Sequence, residues 1–463
     1  MKMLFAERAL LAGGWARDVR VTLGDDGRIG AVEADTQAGA GDERLAGRIL
    51  LPAPANLHSH AFQRAMAGMT EARGPDSRDS FWTWRSLMYR FVGALTPDDV
   101  EAIAAQVQVE MAEAGYAAVG EFHYLHHQPG GGAYADVAEM AARVAAAAAE
   151  TGLGLTLLPV LYLRGGCDGR APEGGQTRFA CQDIDAFARL VEGAAAAVGS
   201  LGPDARTGVA PHSLRAVPPE LVREAATLRP GDPVHIHAAE QVAEVEEVSA
   251  AHGRPPVAVL LEQAGLDARW CVIHATHMQP GETQGLARSG AVAGLCPITE
   301  SNLGDGIFDG VRFRAAGGVF GIGSDSNIRI SLAEELRTLE YSQRLGARSR
   351  AVLAGPGSTG SGSTGRVLFE GAVAGGARAC GRDAGAIEAG RLADLMTLDG
   401  EALALAGLDG DMALDGWIFA GDDRAVCDVW SAGRRLVVDG RHYASAAVEA
   451  RYRAVLARLR DAA

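Results

Sequence analysis

The chain has 463 residues, 48% of them hydrophobic, and a formal net charge of −15 at pH 7. This length suits a large α/β barrel with an accessory domain. The negative charge disfavours nucleic-acid binding, which normally uses a basic face. A mean hydropathy of +0.03, without an apolar run of about 18 residues, disfavours a membrane protein.

The six cysteines are scattered without a CxxC pair. This is typical of reduced, mostly buried thiols, so we expect a cytoplasmic protein without a disulfide framework or zinc ribbon. Lys2 is the only lysine, which excludes a Walker-type phosphate loop, an internal Schiff-base lysine and an internal carboxylated lysine that bridges two metals. The glycine-rich stretch 355–365 is therefore interpreted as a flexible loop.

The first predicted elements are short strands over residues 3–50. Residues 19–34 alternate apolar and polar positions around an Asp-Asp-Gly turn, which predicts a β-hairpin. The C-terminal part is also β-rich and ends in an amphipathic helix from Ser445. We expect residues 1–50 and 386–463 to build one small β-sandwich domain together.

Residues 51–385 alternate apolar strand-like runs with alanine-rich helical runs, such as 97–115 and 134–152. Such alternation predicts a parallel sheet, here with enough units for a (β/α)8 TIM-like barrel that forms the catalytic domain. In these barrels the functional side chains lie at the carboxyl ends of the strands.

Polar residues follow the predicted strands at these carboxyl ends. In the motif HSH, His58 and His60 are two residues apart, so on a strand both imidazoles point to the same side. Eleven of the twelve histidines lie between residues 58 and 277. The other strand-end polar groups are Glu121 to Tyr124, His212, His237, His274 and Asp325.

We interpret His58, His60, His237 and Asp325 as ligands of one divalent metal. Three neutral imidazoles and a carboxylate suit zinc or iron better than magnesium or calcium, which prefer oxygen ligands. We expect zinc, with iron as the alternative. A catalytic zinc keeps a position for water and lowers the pKa of that water toward about 7. Asp325 would also accept a proton from it.

The stretch HIHAAEQ offers two histidines on one strand face, His235 and His237, with Glu240 three residues after the second. We favour His237 as the ligand and Glu240 as a proton shuttle that enters the same cavity. A lone histidine is more often a structural residue, whereas six strand-end groups in one barrel favour a functional site.

The motifs HSH, HIHAAE, IHATH and GIGSD, in this order, resemble those of the amidohydrolase superfamily over essentially the whole chain. Because the chain has no internal lysine that could bridge two metals, the resemblance is to the mononuclear branch of this superfamily. That branch deaminates amidines and heterocycles. A finer resemblance is to the formimidoylglutamate deiminases of histidine degradation. It rests on the stretches NLHSHAFQRAMAG, SFWTWRSLMYRF, VGEFHYLHH, APHSLRAV, HIHAAEQ and TESNLGDGIF.

This resemblance implies hydrolysis of N-formimino-L-glutamate to N-formyl-L-glutamate and ammonia. Asp325 would help to activate water, Glu240 would carry a proton to the substrate nitrogen, and His274 would stabilise the tetrahedral intermediate. The two substrate carboxylates need fixed donors, and arginine binds carboxylates in bidentate geometry. The residues that the resemblance places near the substrate are Arg85, Arg215, Tyr124, His212 and Gln63.

The main enzymatic alternative is a deaminase of a guanine- or cytosine-like ring, which predicts an aromatic slot without paired arginines. A non-catalytic binding protein on the same fold would lack a metal ligand, and here none is missing. A structural zinc is usually closed by four ligands, often thiolates. We expect a small anionic substrate as partner, neither nucleic acid nor membrane, and a homodimer.

Overall fold

A computed structural model describes residues 2–71, 81–354 and 362–462. The strands are β1 (Lys2–Leu11), β2 (Gly14–Leu23), β3 (Ile29–Glu33), β4 (Glu43–Arg44), β5 (Arg48–Pro52), β6 (Ala55–Ser59), β7 (Ala118–His123), β8 (Gly154–Leu161), β9 (Arg206–Thr207), β10 (Ala210–Pro211), β11 (Val234–Ala238), β12 (Trp270–His274), β13 (Val292–Leu295), β14 (Val319–Ile322), β15 (Leu395–Asp399), β16 (Val426–Ser431), β17 (Arg434–Val438) and β18 (Arg441–His442).

The helices are α1 (Phe81–Val92), α2 (Pro97–Glu113), α3 (Glu139–Thr151), α4 (Ile184–Val198), α5 (Pro219–Ala225), α6 (Val242–His252), α7 (Pro256–Gln263), α8 (Pro280–Ser289), α9 (Pro297–Leu303), α10 (Gly310–Ala315), α11 (Leu332–Ala347), α12 (Thr364–Ala379), α13 (Asp411–Ala420) and α14 (Ser445–Ala462). Short 3-10 helices cover Ala61–Met66, Gly174–Arg178 and Asp423–Ala425. Within the described ranges, no helix combines the length and the apolar character needed to cross a membrane.

Two parallel sheets form the central part of the chain. One has the order β10-β8-β7-β6 with β9 also paired to β8, and the other has the order β11-β12-β13-β14. Single parallel bridges join the two sheets at both edges, Val209 with Val234 and Ser59 with Asp325. Because β9 and β10 occupy one position, the strands form a closed ring with helices between them, as in a (β/α)8 barrel.

The strands of this ring are buried because helices cover them. Every residue of β7 and β8 is buried, as expected for parallel strands between a helical layer and a packed interior. Helix α2 lies within the predicted helical stretch and begins with a capping box of Thr96 and Asp99. Helix α3 begins later than predicted, at Glu139, because Asp136 accepts a bond from the Ala138 amide at 2.9 Å and forms a turn there.

Both ends of the chain join in one nine-stranded sheet with the path β18-β17-β16-β15-β5-β1-β2-β3, to which β4 adds beside β1. The predicted hairpin is confirmed, since β2 and β3 pair antiparallel. A bridge between Arg28 and Leu392 brings the start of β3 back to the segment before β15. The sheet therefore folds over its own apolar core, which contains Val21 and Trp430. At one edge Lys2 Nζ lies 2.8 Å from a Glu43 carboxylate oxygen.

Arg382 ties the terminal sheet to the barrel. Its side chain is fully buried and makes two 2.9 Å bonds to the carboxylate of Asp394, just before β15. It also donates to the Asp204 carbonyl at 2.9 Å, after α4 of the barrel. A buried guanidinium needs such partners because an uncompensated charge is costly in the interior.

We expect Arg382→Met to lower the free energy of unfolding by about 3–5 kcal/mol, because the buried Asp394 carboxylate loses its counter-ion and the Asp204 carbonyl loses a donor. Urea denaturation followed by circular dichroism measures this. The matched control is Arg424→Met, which removes a guanidinium that is paired with Asp422 but 91% exposed, and should leave the denaturation midpoint unchanged. Equal midpoints for wild type and Arg382→Met would contradict the role of this ion pair.

Candidate active site

Three imidazoles converge at the carboxyl end of the barrel. His58 Nε2 and His237 Nε2 are 3.1 Å apart. The metal-binding atoms of His58, His60 and His237 all lie within 4.8 Å of one another. All three side chains are buried, and the short separations place their ring nitrogens around one common point.

Second hydrogen bonds orient two of these rings. His60 Nδ1 lies 3.0 Å from the Phe122 carbonyl, and His237 Nδ1 lies 3.2 Å from the His212 carbonyl. A carbonyl accepts only from a protonated nitrogen, so Nε2 of both rings carries the lone pair. Burial lowers the pKa of His58 to about 3 and also lowers the pKa values of the other two rings. All three imidazoles are therefore neutral at neutral pH.

Asp325 adds a carboxylate to this cluster. Its Oδ1 lies 3.4 Å from His58 Nε2 and 3.3 Å from His60 Nε2. Although burial raises its pKa, the neighbouring imidazoles hold the pKa of Asp325 well below its usual range. Asp325 has a φ of 46°, a conformation that costs energy outside glycine. Asn327 supports it by donating to the Asp325 carbonyl at 3.2 Å and to Ser59 Oγ at 3.1 Å.

This donor set fits a divalent transition metal. Neutral imidazole nitrogens and a carboxylate are ligands that zinc and iron accept. With the lone pairs on Nε2, the 3.1 Å separation of His58 Nε2 and His237 Nε2 allows both nitrogens to bind the same ion. His235 is excluded from the cluster, since its Nε2 bonds to the Ala379 carbonyl at 2.8 Å.

His274 lies beside the cluster among carboxylates. Its Nδ1 is 3.2 Å from Glu300 Oε1, and its Nε2 is 3.8 Å from both Glu240 Oε1 and Asp325 Oδ2. Although burial lowers it, these carboxylates raise the pKa of His274 well above its usual range. The side chain is therefore an imidazolium with N–H donors on both sides.

Glu240 is held by the start of α6. Glu244 accepts hydrogen bonds from the backbone amides of Ala239 at 3.2 Å and Glu240 at 3.0 Å. This fixes a tight turn in which Ala239 has a φ of 54°. Burial raises the pKa of Glu240 to about 7. A carboxyl group with that pKa can both accept and donate a proton near neutral pH.

A cleft of about 610 Å³, including its solvent-open part, leads to these groups. Its lining residues are His60, Gln63, Trp84, Met88, Tyr89, Tyr124, Tyr162, Phe179, His212, Arg215, His237, Glu240, His274, Leu303, Asp325 and Ser326. The structure thus brings Gln63, Tyr124, His212 and Arg215 together with the metal cluster. Gln63 Nε2 donates to the Tyr124 hydroxyl at 2.6 Å. The side chain of Arg85 lies outside the described residues, although its backbone belongs to α1.

Residues 49–436 match the family model described as "Amidohydrolase family", and residues 1–46 match "Formimidoylglutamate deiminase HutF, N-terminal domain". A formimidoylglutamate deiminase of Pseudomonas aeruginosa is 49% identical over 443 residues, which is 96% of each chain. The chain belongs to the amidohydrolase family, in its formimidoylglutamate deiminase branch. The resemblance seen in the sequence motifs is confirmed.

Another relative and two solved structures range from 22% to 49% identity. A 5-methylthioadenosine/S-adenosylhomocysteine deaminase of Natronomonas pharaonis is 29% identical over 81% of this chain and 79% of its own. The crystal structure of an amidohydrolase from Brucella melitensis has a TM-score of 0.93 and 49% identity, covering 99% and 100% of the two chains. A zinc-bound adenosine deaminase from Xanthomonas campestris, at 22% identity and a TM-score of 0.82, covers 99% and 98% and shares the fold. The predicted fold class is confirmed.

Some residues of this amidohydrolase site were missed by sequence reasoning. Tyr162 directly follows β8 and lines the cleft, so the rule that placed His212 and Asp325 at strand ends would also have found it. Glu300 has no such signal, because it lies in α9 and meets His274 only in the folded protein. The apolar lining residues Met88 and Phe179 come from a helix and a loop remote from one another in the chain.

We expect His237→Asn to lose the bound metal, because one of the three converging imidazoles is removed. Elemental analysis of purified protein gives the metal content per chain. The matched control is His235→Asn, two residues away on the same strand and equally buried, which should keep its metal. Metal loss in the control but not in His237→Asn would reverse the assignment.

Proposed function

We propose that this protein hydrolyses N-formimino-L-glutamate to N-formyl-L-glutamate and ammonia. The observation that carries the proposal is the 49% identity, over 96% of each chain, with the formimidoylglutamate deiminase of Pseudomonas aeruginosa. The protein is thus a hydrolase of carbon–nitrogen bonds other than peptide bonds. The cleft supports this substrate because cationic Arg215 and the acid groups beside the metal cluster line the same space.

We propose His58, His60, His237 and Asp325 as the metal ligands and zinc as the metal, with iron as the alternative. When bound, the metal supplies Lewis-acid activation of the attacking water. The three imidazoles hold the ion without adding negative charge, and Asp325 provides one carboxylate. Because Asp325 keeps its carboxylate ionised, it is also suited to accept a proton from the attacking water.

Glu240 moves the second proton. Water attacks the carbon of the amidine head, and the bond from this carbon to its terminal nitrogen breaks. That nitrogen must be protonated to leave as ammonia, and Glu240 lies near enough to His274 and Asp325 to share the reacting centre. The attacking water gives up both of its protons as its oxygen becomes the formyl oxygen, and both protons end on the departing nitrogen. The raised pKa of about 7 suits Glu240 to take up the second of these protons and pass it to that nitrogen within the same turnover.

His274 stabilises the negative charge that develops on the attacked carbon's oxygen. Its Nδ1–H is directed at Glu300, 3.2 Å away, which leaves the Nε2–H facing Glu240 and Asp325 at the reacting centre. A fixed imidazolium donor in a buried site requires little reorganisation during the reaction. His274 is therefore proposed as a catalytic residue that moves no proton.

The other end of the substrate carries two carboxylates. We propose that Arg215 and His212, which come from the loop after β10, bind one of them, and that Arg85 binds the other. Gln63 and Tyr124 are proposed as further contacts near His60. With a net charge of −15, the protein does not attract a dianion over long range, so local cations must provide recognition.

A cytoplasmic location and a homodimer complete the proposal. The six cysteines are all free of disulfides, which supports a reducing compartment. Sedimentation equilibrium distinguishes a dimer from a monomer of 48.1 kDa.

The substrate assignment is tested by ammonia release from the zinc-loaded protein. We expect rapid turnover of N-formimino-L-glutamate and none of guanine or cytosine, because a ring base has no carboxylate for Arg215 to bind. Asp325→Asn is the inactive control. Turnover of the ring compounds alone would favour the heterocycle deaminase and overturn the assignment of Arg215.

We expect Glu240→Gln to lower kcat about 10²- to 10⁴-fold, because an amide can neither deliver nor take up the proton. Steady-state kinetics and metal analysis of the same sample separate this from metal loss. Glu246→Gln on the exposed face of α6 is the matched control and should keep wild-type kinetics. A Glu240→Gln variant with full kcat would remove Glu240 from the mechanism.

A further inference from the structure

We propose that Tyr162 is a further substrate-binding residue, whose phenolic O–H donates a hydrogen bond to a substrate carboxylate beside Arg215. The inference rests on the proposed function and extends it, because it adds a neutral donor to the anion-binding end of the cleft. Gln176 is a positioning residue in this arrangement, since it holds the Tyr162 hydroxyl.

Tyr162 lies where the barrel presents its functional groups. It directly follows β8, is 5% exposed, and lines the same cleft as Arg215 and His212. Its ring packs edge-on against the His212 ring, with centroids 4.9 Å apart at 76°. At this point the wall of the cleft is formed by two rings that carry polar atoms, Tyr162 and His212, and is not purely apolar.

The backbone holds Tyr162 next to the segment that carries Arg215. The Leu163 amide donates to the Ala216 carbonyl at 3.0 Å, so the residues adjacent to Tyr162 and Arg215 are bonded to each other. Tyr162 and Arg215 both line the cleft. Both side chains thus line the same region of the cleft.

The hydrogen-bond pattern fixes the direction of the Tyr162 proton. Gln176 Oε1 accepts from the Glu173 amide at 3.0 Å, so the nitrogen of this side chain must face the other way. That nitrogen, Nε2, donates to the Tyr162 hydroxyl oxygen at 2.8 Å. Within the described ranges this is the one hydrogen bond of the hydroxyl, and in it the phenol is the acceptor. Its proton is left for an acceptor in the cleft.

The neighbours determine which acceptor fits. A guanidinium has five N–H donors and no acceptor, so Arg215 cannot take the Tyr162 proton. A group that accepts from both needs at least two lone pairs, and a carboxylate has about four such sites and also carries the charge opposite to that of Arg215. One substrate carboxylate between Arg215 and Tyr162 would accept from both side chains.

The support given to Tyr162 argues against a role in packing alone. A phenylalanine would fill the same space beside His212 and Phe179 without a polar partner. Here Gln176 is 7% exposed and is held in a reciprocal capping arrangement with Glu173 at the start of the 3-10 helix Gly174–Arg178. The buried Gln176 amide therefore orients a hydroxyl group that packing alone would not require.

Tyr162→Phe tests the inference with the zinc-loaded full chain. We expect KM for N-formimino-L-glutamate and the inhibition constant of N-formyl-L-glutamate to rise together, about tenfold or more, because a charge-assisted hydrogen bond is lost. The kcat should stay within about threefold, because the hydroxyl is proposed to contact a carboxylate and not the amidine head. The matched control is Tyr116→Phe, a fully buried tyrosine that does not line the cleft, which should change neither constant.

Gln176→Leu provides a second, independent variant. It keeps the Tyr162 hydroxyl but removes its orienting partner, so we expect a smaller rise in KM than in Tyr162→Phe. The double variant should have the same KM as Tyr162→Phe alone. Unchanged KM and inhibition constant in Tyr162→Phe, or a loss confined to kcat, would overturn the inference. Wild-type protein without activity on N-formimino-L-glutamate would instead overturn the proposed function, so the two failures are distinguishable.

Discussion

The pairing that closes the ring of strands also builds the metal cluster. The amides of Ser324 and Asp325 donate to the His58 carbonyl, and the His60 amide donates to the Asp325 carbonyl at 2.9 Å. These bonds join the first strand of the barrel to the segment after the last one, and they set Asp325 against both histidines of the HSH motif. The same hydrogen bonds thus close the barrel and position the cluster residues. We therefore expect their loss to lower stability and metal affinity together.

Side chains of both charges lie in or beside the cleft. Carboxylates of Glu240, Glu300 and Asp325 surround the single imidazolium of His274 in the buried part, whereas Arg215 lies in the loop after β10. A molecule with a cationic amidine head and anionic tail matches this polarity in one orientation only. A planar neutral base carries neither charge, so it would match the polarity of neither end.

The sequence predicts the parts of the site that follow a local rule. Spacing on a strand identified His58 and His60, and position at strand ends identified His237 and Asp325. The strand pairing β1–β5 in the terminal sheet is parallel and joins distant segments, so local periodicity does not reveal it. Glu300 was likewise missed, because no local sequence rule specifies which carboxylate after the neighbouring strand β13 will reach the His274 ring. The predicted domain borders at residues 50 and 385 stay predictions, as do the chemical roles of the site residues.

The ion pair of Lys2 with Glu43 at the edge of the terminal sheet has a consequence for chemical labelling. Lys2 carries the only side-chain amine of the protein and is 45% exposed, so reagents that acylate lysine have one side-chain target, which lies on a strand outside the barrel. Dyes, affinity handles or solid supports coupled in this way would attach every molecule through the same sheet. Such a preparation should present its clefts in one orientation, and no proposed site residue would be acylated.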